Sequence, residues 1–253
     1  MKTIAAFGMY LPGNSFLHRA DPRTKLVGAF ILIVALFCTT ALPVIVASLA
    51  VLLAVMLAAR IPPGWIFRAL RPIVLIVLFT LVVNAVRLSP LAFSWTGFLR
   101  GLAFSIRLID VMLLSTMVTL TTSPVALTDG LTAMMRPLRT LRVPVDDIAM
   151  MLSIALRFIP TISQEAQIII KAQTARGANF STGSLFARLR AWTVVLVPLL
   201  VQLFRRADTL ALAMESRCYT GQGRTRLRVL TMRTGDWATL VVIVAAAVTI
   251  AVL

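Results

Sequence analysis

With 253 residues, 59% of them hydrophobic and only 13% charged, and a mean hydropathy of +0.94, the chain lies outside the soluble globular range, where about a quarter of residues are charged. It reads as an all-α integral membrane protein. Its 25 basic and 9 acidic residues give a formal charge of +16, which in a soluble domain would suggest nucleic acid. Here the basic residues fall almost wholly in alternate loops and in one central block, as the positive-inside rule requires, so nucleic acid is excluded and the lipid bilayer is the expected surrounding.

Residues 1–25 form a basic N-terminal segment expected in the cytoplasm. From Leu26 to Ala59 there are 34 residues without a charge, far more than the roughly 7–15 of a signal-peptide core. A span needs about 20 residues, so this run predicts two short or tilted helices joined by a turn at Pro43. Arg60, Pro62, Pro63, Gly64, Arg68 and Arg71 make a basic loop broken by helix stoppers, again cytoplasmic. A third span covers Pro72 to Val86, beginning near Trp65 or Ile66, and the uncharged Ser89 to Thr96 is an external loop. A fourth, Gly101 to Thr122, carries Arg107 and Asp110, three residues apart on one helical face. The pair is expected to be a structural ion pair or a snorkelling arginine; a proton or ion relay is the alternative, because intramembrane charge is costly.

Four spans therefore occupy 26–122, a cytoplasmic domain occupies 123–235, and 236–253 forms a fifth span with Asp236 and Trp237 as its interfacial anchor. The N-terminus is inside and the C-terminus outside a bacterial or archaeal cell membrane. Ala191 to Phe204, 14 residues without a charge, is short for a span and reads as a helix within the block or in the interface. A six- or seven-span count would place it in the membrane.

The central block holds 15 basic and 6 acidic residues. Ser123-Pro124 opens a helix whose apolar stripe runs through Leu127, Leu131, Met134, Met135 and Leu138 to Leu141. Val143-Pro144 breaks it. Asp146 and Asp147 suit the positive end of the next helix, which continues past Pro160 to Arg176 and would extend about 43 Å from Ile148. A third helix is expected from about Arg205, stopped by Gly221 and Gly223. Both of these helices end in an arginine between small residues, Ala175-Arg176-Gly177 and Ser216-Arg217-Cys218. An arginine there complements the helix dipole; two such tripeptides after long amphipathic helices also suit docking, since the guanidinium fork bonds carboxylates or carbonyls bidentately.

The two cysteines, Cys38 and Cys218, lie far apart in different settings, and His18 is the sole histidine, so neither a disulfide framework nor a metal site is expected. No phosphate loop, HExxH or GxSxG occurs, and no catalytic residue or bound cofactor is assigned. The chain is not expected to be an enzyme.

Leu11-Pro12-Gly13-Asn14-Ser15-Phe16-Leu17-His18-Arg19-Ala20-Asp21-Pro22-Arg23-Thr24-Lys25-Leu26 resembles the N-terminal motif of the transmembrane coupling (T) components of energy-coupling factor importers. So do Thr122-Ser123-Pro124, Ala155-Leu156-Arg157-Phe158-Ile159-Pro160, Glu165 and Ala172-Gln173-Thr174-Ala175-Arg176-Gly177. The resemblance covers nearly the whole chain. It implies a non-catalytic scaffold whose coupling helices link two ATP-binding-cassette ATPases, which hold the ATP and Mg, to a membrane-embedded substrate-binding S component that takes up vitamins or metal ions. In that family two arginine-centred tripeptides fit grooves in the ATPases, and Ala175, Arg176, Gly177, Ser216, Arg217 and Cys218 occupy the matching positions. Cys218 departs from the usual Gly or Ser. From the apolar stripes, Met134, Met151, Ile159 and Leu200 are candidate S-component contacts, methionine being suited to a surface that repacks. The N-terminal motif is expected to fold as a cap on the cytoplasmic block, with Asp21 pairing an arginine. A self-contained carrier or channel using Arg107 and Asp110 is the alternative, disfavoured because no internal repeat is visible. The cargo, the identity of the two ATPases and the sharing of the module are not readable from the sequence.

Overall fold

The computed structural model of the chain describes residues 10–13, 15–88, 91–180, 184–219, 221, 232 and 234–252. A single turn, α1 (Phe16–Arg19), precedes α2 (Pro22–Cys38), whose start is set by Asp21: its carboxylate accepts from the Arg23 amide at 2.9 Å, with Pro22 in the first turn. Pro43 opens α3 (Leu42–Ala58) after a three-residue break. α3 closes in a Schellman cap, with Arg60 left-handed at φ +57° and the Ile61 amide bonded to the Met56 carbonyl at 3.2 Å. α4 (Pro63–Ala85) follows and leads through an antiparallel ribbon, β1 (Val86–Leu88) and β2 (Leu91–Phe93), into α5 (Trp95–Thr121). Apart from this pair of three-residue strands the elements are helical, as the all-α expectation has it; Ser89 and Pro90 of the expected external loop lie outside the described residues.

Two compact units divide the chain, one containing Gly8–Met134 and Val229–Leu253, the other containing Met135–Arg228. In the first, α5 is the central helix, packed by α4, α3 and α2, while α2 also packs against α6 (Pro124–Met134) and α9 (Thr234–Val252). Met56, Ile66, Leu113 and Leu120 form its apolar core, on which Leu11 and Leu17 also pack. Glycines set the closest approaches. A Cβ on Gly97 would lie 2.1 Å from the Asn84 carbonyl oxygen and one on Gly101 2.9 Å from the Asn84 Cβ, so the small-xxx-small pair lets α5 lie against α4. α4, α5 and α9, with 23, 27 and 19 residues, are long and apolar enough to cross a membrane. α2 and α3, with 17 residues each, stand at the lower limit of about 17.

The second unit holds two 31-residue helices, α7 (Val145–Ala175) and α8 (Leu185–Glu215), packed on each other. Each is about 46 Å long. The stripe expected to stay helical from Val125 to Leu141 is interrupted: α6 ends at Met134 and a 3-10 turn covers Arg136–Leu141. Pro137 stands in the first turn of that 3-10 segment, where its missing amide leaves no hydrogen bond unmade. α8 begins twenty residues earlier than Arg205, and the uncharged run Ala191 to Phe204 is its middle. Its C-terminus is set before Gly221, while Gly223 lies outside the described residues.

Candidate functional site

The two arginine tripeptides have the same backbone geometry. At the end of α7 the Gly177 amide bonds the Thr174 carbonyl at 3.0 Å and the Ala178 amide reaches back five residues to Gln173 at 2.9 Å. At the end of α8 the Cys218 amide bonds Glu215 at 2.9 Å and the Tyr219 amide reaches Met214 at 3.0 Å. Both are Schellman caps, and in both the third tripeptide residue is left-handed, Gly177 at φ +87° and Cys218 at φ +54°. The cap explains why glycine belongs at this position and what Cys218 changes. A side chain there costs about 1–2 kcal/mol of backbone strain, yet the turn is kept.

Arg176 and Arg217 therefore hold equivalent positions, one residue before the left-handed residue. Both are exposed, and among the described residues neither guanidinium has a hydrogen-bond or ion-pair partner within the chain. Ala175 and Ser216 precede them, equally exposed. Each tip thus combines a five-donor cationic fork with the electronegative end of a helix, and small neighbours leave room for a second surface.

Behind the tips, α7 and α8 are tied by an ion pair between Glu165 and Arg206, whose guanidinium also lies 5.7 Å from the Phe158 ring centre. An apolar groove of about 410 Å³ between the helices is lined by Ile154, Phe158, Leu203, Leu210 and Met214, with Tyr219 joining it directly to the second tip. Glu165 and Phe158 both belong to motifs visible in the sequence; their meeting with Arg206 required the fold. The candidate partner contacts are spread: Met151 and Leu200 are exposed on α7 and α8, Ile159 is half-buried beside Pro160, and Met134 ends α6 in the other unit.

Arg107 and Asp110 take different partners and are not paired with each other. Arg107 donates to the Thr39 carbonyl between α2 and α3, and Asp110, 1% exposed, accepts from the Ser48 hydroxyl on α3 at 2.8 Å. They join α5 to its neighbours.

A polar knot that sequence reading missed stands at one end of the helical bundle. The Asp21 amide donates to Asp236 Oδ1 at 2.9 Å, linking the starts of α2 and α9. Lys25, buried, donates to the Thr121 carbonyl at 3.1 Å and to Thr122 Oγ1 at 3.2 Å, where the chain passes from α5 to α6. Gly130 brings α6 against Pro22, a Cβ there falling 3.0 Å from the proline Cβ. The N-terminal motif thus folds against α5, α6 and α9. Asp21 caps its own helix, and no arginine side chain pairs with it among the described residues. His18 is placed by the same motif: its Nε2 lies 3.0 Å from the Leu11 carbonyl, an acceptor only, so that nitrogen donates and Nδ1 faces the Ser15 hydroxyl at 2.6 Å.

A bundle of apolar helices with buried polar ties, three of them long and apolar enough to cross a membrane, defines a multi-pass helical membrane protein. The family model described as cobalt transport protein, CbiQ, matches residues 13–227, and the chain belongs to that family. It is 45% identical to the energy-coupling factor transporter transmembrane protein EcfT of Heliobacterium modesticaldum, covering 93% of this chain and 92% of the relative. The protein of the same name from Acidaminococcus fermentans is 40% identical over 100% of this chain and 98% of its own, and that of Bacillus subtilis 38% identical over 92% of each. This is a membrane component of a transporter.

Proposed function

We propose that the chain is the non-catalytic transmembrane coupling subunit of an ATP-driven energy-coupling factor importer of vitamins or metal ions. The carrying observation is the repeated tip: two long helices, two Schellman caps, and two exposed arginines without a partner among the described residues. Arg176 and Arg217, with Ala175, Gly177, Ser216 and Cys218, dock two ATP-binding-cassette ATPases that hold ATP and Mg. The domain 123–235 and the N-terminus face the cytoplasm, and the bundle crosses the membrane five times; the alternation of basic loops supports this orientation. Movement of the ATPases is carried by α7 and α8, held together through Glu165 and Arg206, to an S component that rests on apolar positions including Met134, Met151, Ile159 and Leu200. The names of the relatives, as transmembrane proteins of energy-coupling factor transporters, support the assignment.

Co-purification of the membrane-inserted chain with its ATPases tests it. Arg176→Glu and Arg217→Glu should each weaken association at least about 30-fold, because charge reversal repels an acidic groove as well as removing the pair. The double variant should abolish coupled hydrolysis. Unchanged association and transport would reduce the arginines to dipole caps and overturn the proposal. Cysteine crosslinking from positions 151 and 200 to an S component tests the second interface.

A further inference from the structure

The first two turns of α8 carry a surface that neither the arginine tips nor the α7 contact uses. At about 100° per residue, Leu185, Phe186, Leu189 and Trp192 fall within an arc of about 120°. All four are exposed, from 48% for Trp192 to 86% for Phe186. Arg188 and Arg190, also exposed, bracket this arc, one at each edge. The opposite side is partly covered, since Ala191 is half-buried, and beyond Arg188 the next turn brings Val195, which is buried. Phe180 steadies Trp192, their ring centroids 5.4 Å apart. No acidic residue occurs from Ser184 to Ala207.

We infer that these two turns seat on an anionic lipid surface, Phe186 and Trp192 entering the headgroup–acyl boundary while Arg188 and Arg190 bind lipid phosphates. Charge selects this occupant. An apolar arc with a cation at each edge lets both side chains lay their stems along it and raise their charged heads to the headgroups. Aromatic rings at this level are the residues that membrane interfaces favour, and each arginine contributes about a fivefold bias toward an anionic layer. The inference rests on the chain being a membrane protein and is independent of what the arginine tips dock.

The full-length chain is placed in nanodiscs of phosphatidylcholine with or without phosphatidylglycerol, with Trp65, Trp95 and Trp237 changed to Phe so that Trp192 reports alone. Lipids brominated on the acyl chain should quench Trp192, aqueous acrylamide should not, and phosphatidylglycerol should strengthen the difference. Arg188→Gln combined with Arg190→Gln should remove that dependence on lipid charge. Amide exchange over residues 185–192 in the unsubstituted chain is read in parallel and should slow when phosphatidylglycerol is present. Trp192 open to acrylamide, with exchange indifferent to lipid charge, overturns the inference. So does protection that arises only when a partner protein binds, whatever the lipid.

Discussion

The helical bundle and the α7/α8 unit place their polar residues in opposite ways. In the bundle, Asp21, Lys25, Asp110, Thr121 and Asp236 are buried and their bonds run between helices. In α7 and α8 the described buried residues are Val145, Ala149 and Val195, while charged groups and large apolar side chains alike face outward. A unit with so little interior derives little stability from its own packing, and its helices adjust to what they touch. The bundle is a frame; the paired helices are a surface.

Lys25→Met should break the frame most severely. It removes the buried cation that offsets the charges of Asp21 and Asp236 and strips the Thr121 carbonyl and the Thr122 hydroxyl of their donor, a loss of about 3 kcal/mol or more in detergent unfolding. A cost near that of an exposed pair, below about 1 kcal/mol, would erase the contrast between the two regions. Gly177→Val comes next. A β-branched residue at φ +87° should raise local strain by about 2 kcal/mol and speed amide exchange at residues 177 and 178 without moving the global unfolding midpoint. Glu165→Gln should cost about 1 kcal/mol, seen as faster exchange in the middle of α7, and a double-mutant cycle with Arg206→Gln should recover the coupling. Cys218→Gly is the smallest and has the opposite sign, a gain of about 1 kcal/mol or less as strain at φ +54° is relieved. A loss instead would mean that the cysteine side chain holds the second tip by its own contacts.

Local rules made much of this visible from the sequence alone. Pro43 marks the break between α2 and α3 where the structure has it, and the helix through Pro160 to the first arginine is continuous, whereas α2 begins at Pro22, inside the segment expected to precede the first span. Pro137 was readable as a break too, but the apolar stripe on either side masked it. α8 was harder because Pro198 lies inside it and its uncharged middle looks like a separate segment. The polar knot was out of reach: Lys25 meets Thr121 across 96 positions, and no periodicity reports such a pairing. The tips were legible as tripeptides, whereas the left-handed turn at Cys218 was concealed by a residue that rarely adopts it. Its alignment with Gly177 was the available signal.

The bond between Asp21 and Asp236 joins positions 215 residues apart, and this sets an order on assembly. A ribosome adding roughly 5–20 residues per second needs roughly 10–40 s to travel from one to the other. Throughout that interval α2 exists without α9, with Gly28 shaped for an Ile243 that has not been made. The bundle closes last where it begins, so a nascent chain halted before Thr234 would keep α2 unlatched and open to the membrane's quality control.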